Sequence, residues 1–247
     1  MEGKVVLVTG GGRGIGAATS KLLASRGAKV VVNFAQNGDA ANHVVKDITG
    51  SGGQAIALQA DVRNDVQVSN MVSSILDIWG TVDALVNNAN MSFAMKPIAE
   101  MTWDEFAQKL NDEMKAAFLM TKAVTPIMAA KHYGRIVYVA SGLARRPTRR
   151  MSAHGSAKAA LVQFARYVAE EYGSQGITAN IISPGLVMTE ATRFQPEENL
   201  KRIASLTPLG HVATPEDVAQ AIAMYCSDGC QFVTGTYVPV NGGMSMD

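Results

Sequence analysis

The run Thr9-Gly10-Gly11-Gly12-Arg13-Gly14-Ile15-Gly16 is the first stretch whose residue types and spacing could do chemistry. Glycines permit positive φ and let backbone N–H groups approach a ligand with no Cβ in the way. A valine-rich stretch ending at Val8 precedes the run, and a helical pattern follows it. That setting turns the free N–H donors and partial positive charge of a helix N-terminus toward a phosphate. The chemistry implied is capture of a dinucleotide pyrophosphate, with Gly10, Gly12, Arg13, Gly14, Ile15 and Gly16 as the cradle. The spacing is G-x-x-x-G-x-G rather than the G-x-G-x-x-G fingerprint. An acidic residue ending the second strand would bond a ribose 2′-OH and repel a 2′-phosphate. The chain has Asn33-Phe34 there, no carboxylate before Asp39, and Arg13 in the glycine run. A neutral amide at Asn33 with a guanidinium nearby favours NADP(H) over NAD(H).

These residues need a frame that holds them. Candidate strands Lys4–Thr9, Lys29–Asn33, Ala55–Gln59, Ala84–Asn87, Arg135–Ser141, Ile177–Ser183 and Tyr237–Val240 alternate with helical stretches. The helices are expected over Gly14–Arg26, Ala40–Thr49, Asp65–Trp79, Trp103–Ala130, His154–Tyr172 and Pro215–Ser227, with Gly27, Gly80 and Gly176 as stops. Runs such as Val30-Val31-Val32 are apolar without alternation, as parallel strands covered on both faces require. The pattern predicts an α/β fold: a doubly wound parallel sheet of Rossmann type with about seven strands and helices on both faces. At 247 residues without a linker, repeat or low-complexity tract, the chain reads as a single domain over 1–247. Segments 90–101 and 185–214 are long and irregular, and read as substrate rim and lid.

Composition excludes other classes. Charged residues are 17% and apolar residues 47%, a balance opposite to that of disorder. A net charge of +1 provides no global field for nucleic acid or an anionic membrane. Apolar runs fall far short of the ~18 residues of a membrane span, and the start of the chain lacks a secretory pattern. Cys226 and Cys230 read as two free thiols on one helix, with no metal site, in a reducing cytoplasmic compartment. Arg145, Arg146, Arg149 and Arg150 crowd around Pro147. They read either as a clamp for an anionic substrate tail or acidic carrier protein, or as a solvated basic loop.

With Thr9 ahead of its glycines, the chain resembles the short-chain dehydrogenase/reductase family, and the likeness spans essentially its whole length. Asp61-Val62 resembles that family's adenine contact, and Asn87-Asn88-Ala89 its segment beside the ribose. Pro184, Gly185, Val187 and Thr189 resemble the nicotinamide-side loop, and Val240-Asn241-Gly242-Gly243 the terminal signature. The resemblance implies that Ser141 polarises a substrate carbonyl and that Lys158 holds the cofactor ribose. Where the family places its tyrosine, four residues before that lysine, the chain has His154. Its relay asparagine position falls on Glu113, or on Asn111 or Asp112 if the register shifts, and the glycine after Ala89 is Asn90. Histidine is a competent general acid, with a pKa near ~6.5. Lys158 and a nicotinamide cation would disfavour imidazolium, whereas a close Glu113 would favour it.

The expectation is an NADP(H)-dependent reductase of a carbonyl or conjugated acceptor, close in character to the 3-oxoacyl-thioester reductases. The substrate would be an acyl-thioester or polyketide-like small molecule, carried by acyl-carrier protein or CoA. A homo-oligomer, tetramer or dimer, is implied by the same resemblance. Two rivals stand beside it. One is a non-redox isomerase, dehydratase or cyclase using His154 and Glu113 as acid and base. The other is a catalytically silent nucleotide-binding protein.

Overall fold

A computed structural model describes residues 1–190 and 192–246. The valine-rich runs form strands because each residue has apolar cover on both sides. Thus β1 (Val5–Val8), β4 (Ala84–Asn87) and β5 (Gly134–Val139) are buried at every position. Full burial stabilises a side chain of this kind by roughly 1.5–3 kcal/mol, which outweighs any local preference. With β2 (Lys29–Phe34), β3 (Gln54–Gln59), β6 (Ile177–Pro184) and β7 (Tyr237–Val240) they make one seven-stranded parallel sheet. Its order is β3-β2-β1-β4-β5-β6-β7, with Val6 level with Val30 on one side and Ala84 on the other.

Helices cover both faces. α3 (Asp65–Trp79), α4 (Trp103–Ala130) and α5 (Ser152–Tyr172) bury Ile75, Met120 and Leu161 against one face. α1 (Gly14–Ser25), α2 (Gly38–Gly50) and α7 (Pro215–Tyr225) bury Leu23, Val44 and Ile222 against the other. α3 stops at Gly80, whose φ of 75° is left-handed, and Gly176 turns into β6 at φ 77°. Strand order reverses between β1 and β4, so their carboxyl ends flank the crevice where open α/β sheets bind ligands.

Two expectations are corrected. Segment 185–214 is not irregular throughout, for it contains α6 (Glu197–Leu206). Pro196 and the acids Glu197 and Glu198 mark its start, and its inward side, Leu200, Ile203 and Ala204, is only half-buried. A one-pair bridge, Val187 with Ala213, ties the ends of that segment together. Cys226 caps α7 while Cys230 lies in the separate turn Asp228–Cys230, so the two free, buried thiols do not share a helix. Among the described residues, no helix is long and apolar enough to cross a membrane.

Candidate active site

The glycine loop leaves β1 and is stitched across the crevice. Thr9 Oγ1 donates to the Val86 carbonyl (3.1 Å) and accepts from the N–H groups of Asn88 and Ala89 (2.9 and 3.0 Å). Asn88 Nδ2 donates to the carbonyls of Thr9 and Gly10 (2.9 and 3.2 Å). Gly16 packs so closely that a Cβ there would lie 2.2 Å from the Gly10 oxygen. Gly12 packs on α2 near Ala41, and the methyl group of Thr189 lies against Gly14, bringing segment 185–214 back over the loop. The Arg13 side chain does not cap α1, and it is exposed with no ion pair or hydrogen bond among the described residues. Ile15 is half-buried beside it.

Asn33 is placed differently from expectation. It is 2% exposed, its Nδ2 donates to the Ala60 carbonyl (3.0 Å), and its Oδ1 accepts from the Gly10 N–H (3.4 Å). Its amide is spent inside the fold and supports the glycine loop rather than facing a ribose. Asp61 pairs with Arg63 (2.7 Å), whose hydrogen bonds hold the carboxyl below its usual range. Val62 is buried beside it. At the end of β4, Asn87 Nδ2 is buried without a hydrogen-bond partner among the described residues. Pro184 ends β6, Gly185 bonds back to Val240 (3.1 Å), and Val187 is buried. An uncapped helix start, an orphaned amide and a cradle closed to side chains together fit a dinucleotide.

Ser141 follows β5, and its Oγ accepts from the Leu143 N–H (3.3 Å). His154 and Lys158 lie one turn apart on the inner face of α5, both buried. Lys158 Nζ donates to the Val139 carbonyl (2.8 Å) and to Glu113 Oε1 (2.6 Å). Of the three residues weighed for the relay position, Glu113 alone is buried in the site, for Asn111 is exposed and Asp112 is drawn to Arg63 (2.8 Å). Its second oxygen takes the Lys109 ammonium (2.5 Å). Burial pushes the Glu113 carboxyl up, but the two lysines together hold it below its usual range. It is therefore an ion-paired carboxylate with no hydrogen bond to His154 among the described residues.

His154 is 8% exposed, and its Nδ1 is buried without a partner among the described residues. Burial, then Lys158 and Lys109, lower its pKa to about 4, against the weaker opposing pull of Glu113. The ring is neutral at pH 7. Tyr138, by contrast, is turned away into the core and shares a hydrogen bond with Thr121 (2.7 Å). Tyr133 meets Asp228 before β5.

Two neighbours escaped the sequence. Phe93 from segment 90–101 stacks on His154 with ring centroids 4.5 Å apart. Lys109 is 0% exposed and also bonds Asn90 Oδ1 and the Met91 carbonyl (2.8 and 2.9 Å). The only signal for Lys109 was its position one helical turn before Glu113. Next to this cluster a cavity of about 860 Å³ is lined by Ile98, Leu143, Met151 and Gly155 together with Arg149 and Arg150. Arg145 also lines the cavity, whereas Arg146 is not among its lining residues. Arg146 bonds the Met244 carbonyl, Arg145 lies over the Tyr237 ring, and Arg150 bonds the Met95 carbonyl.

A family model described as enoyl-(acyl carrier protein) reductase matches residues 10–245. The 3-oxoacyl-[acyl-carrier-protein] reductase of Synechocystis sp. is 36% identical, over 100% of this chain and 98% of its own length. The 3-oxoacyl-[acyl-carrier-protein] reductase FabG of Escherichia coli is 33% identical, over 99% and 98%. A solved short-chain dehydrogenase/reductase of Serratia marcescens, a doubly substituted mutant, superposes with a TM-score of 0.91 at 29% identity, over 99% of both chains. With the glycine loop at its β1–β4 crevice and a histidine four residues before its buried lysine, the chain belongs to the short-chain dehydrogenase/reductase family, among the reductases that resemble the 3-oxoacyl-[acyl-carrier-protein] enzymes.

Proposed function

We propose that the chain is an NADP(H)-dependent oxidoreductase acting on the 3-oxoacyl/3-hydroxyacyl couple of a small acyl thioester, with His154 exchanging the proton. The observation that carries this reading is the buried, uncharged His154, one turn from Lys158 on the helix that flanks Ser141. A bound nicotinamide dinucleotide supplies or takes the hydride. The backbone donors of Gly14, Ile15 and Gly16 bind its diphosphate, Asp61, Val62, Asn87 and Ala89 border its adenosine half, and Pro184, Gly185, Val187 and Thr189 border its nicotinamide end. Arg13, unpaired and exposed, supports choice of a 2′-phosphate. Lys158 holds the ribose near the nicotinamide.

Ser141 Oγ donates to the substrate oxygen. The neutral imidazole takes the proton of a hydroxyl at neutral pH, so hydroxyl oxidation is the direction the resting charge favours. Carbonyl reduction needs imidazolium, which is about a thousandth of the protein at pH 7 when the pKa is about 4. The 860 Å³ cavity, with its arginines, fits the anionic arm of a CoA or carrier-protein thioester. Exposed Trp103, Phe118 and Tyr167 on α4 and α5 support a homo-oligomer, and the reduced cysteines support a cytoplasmic site.

The test is NADPH titration followed by NADPH consumption with 3-oxoacyl thioesters between about pH 5 and 8. The expected result is binding, with a reduction rate that rises about tenfold per pH unit as pH falls from neutrality. Absence of affinity for either pyridine dinucleotide in folded protein defeats the reading.

A further inference from the structure

Lys109 has no place in the chemistry derived above, yet it is the most completely enclosed charge in the site. Its ammonium has three donors, and the fold provides three acceptors: Asn90 Oδ1, the Met91 carbonyl and Glu113 Oε2. Two belong to segment 90–101 and one to α4, so a single side chain joins rim and helix. Its ammonium also lies 5.5 Å from the Phe93 ring, the ring that stacks on His154. Leaving any one of these buried groups unpaired costs more than an exposed pair is worth.

We propose that Lys109 is a positioning residue of the active site: by clamping Glu113 and the Asn90–Met91 segment at once, it holds Phe93 over His154 and keeps the Glu113 carboxylate off the imidazole. Both Glu113 oxygens are committed to lysines, Oε1 to Lys158 at 2.6 Å and Oε2 to Lys109 at 2.5 Å. Among the described residues the His154 Nδ1 is left with no acceptor or donor. The charged groups acting on His154 are Lys158 on its own helix and Lys109 and Glu113 on α4. The rim contributes the Phe93 ring, and the turn Gly142–Ala144 carries only apolar side chains. The three charged groups sum to a net positive site, which disfavours a further proton on the ring. Lys109 thereby adds to burial and to Lys158 in keeping the imidazole unprotonated when it meets substrate.

This inference rests on the reading of His154 as the proton-exchanging group, but its test needs no turnover. The chain has 4 histidines, few enough to titrate individually by NMR in the free protein. Removing Lys109 as Lys109→Met deletes one repelling cation and releases a Glu113 oxygen toward Nδ1. The His154 midpoint is then expected to rise from about 4 by at least about one unit. Amide exchange over residues 91–96 should accelerate about tenfold or more. Glu113→Gln is the opposing variant: it leaves both lysines facing the ring, so the midpoint stays at or below about 4. Asn90→Ala, which cuts one rim tie and no charge, should speed exchange without moving the midpoint. An unchanged His154 midpoint in Lys109→Met, or a raised one in Glu113→Gln, overturns the assignment. Absence of NADPH turnover in the unmodified protein would defeat the oxidoreductase reading and leave these titrations standing.

Discussion

His154 makes the protein's stability depend on pH in a way that can be worked out from one side chain. Folded, it takes a proton near pH 4; unfolded, near 6.5. Between those values the unfolded chain binds the extra proton, so the contribution is whole above 6.5 and falls as pH drops toward 4. The gap corresponds to about 3 kcal/mol at its fullest, given 1.36 kcal/mol per pKa unit. Urea unfolding at about pH 7.5 and about pH 4.5 should show a loss of that order, and His154→Gln should remove most of the difference. An equal acid sensitivity in the variant would mean that other groups carry it. The same residue shows how legibility can divide within a site. That His154 and Lys158 share a helical face follows from a spacing of four; that the ring is neutral follows first from its burial, then from Lys158 on the same helix and Lys109 on α4.

At the scale of elements, the β1–α1 junction is the most sharply specified piece of backbone. A Cβ on Gly16 would lie 2.2 Å from the Gly10 carbonyl and 2.7 Å from Asn88 Nδ2, where neither backbone nor bonded amide can move away. Gly16→Ala is therefore expected to abolish NADPH binding, measured by fluorescence titration, and to lower the thermal midpoint. Wild-type affinity in that variant would contradict the packing. This junction was readable from the sequence because its determinants are neighbours in the chain. α6 was not, since it is short, has no fully buried residue, and its half-buried Leu200, Ile203 and Ala204 make only a one-turn apolar pattern inside a long connection. Asn33 shows the same limit: its position at the strand end was legible, while the direction of its amide toward Ala60 and Gly10 was set by β3 and the loop.

Across the whole molecule, the crevice where strand order reverses between β1 and β4 is bridged by Thr9 and Asn88. Asn88 Nδ2 bridges to the carbonyls of Thr9 and Gly10 from the far side of the crevice. Asn88→Ala leaves both carbonyls short of a donor, at a cost of about 1–3 kcal/mol. For a chain of this size each kcal/mol lowers the thermal midpoint by about 2–4 °C, and dinucleotide affinity should fall with it. Scanning calorimetry with and without NADPH checks both, and an unchanged midpoint would show that Thr9 alone suffices for the join.

By itself the sequence determined the alternation of strands and helices, the glycine-rich β1–α1 junction and the pitch that pairs His154 with Lys158. Each depends on residues a few positions apart, where backbone geometry fixes what they share. Only the tertiary structure decided that Lys109 is buried rather than solvated, that Phe93 covers the imidazole, and that Glu113 serves two lysines instead of the histidine. Those choices bring together α4, α5 and the 90–101 segment, which are distant in the chain. Charge in a closed space is governed by the groups packed around it, not by sequence neighbours.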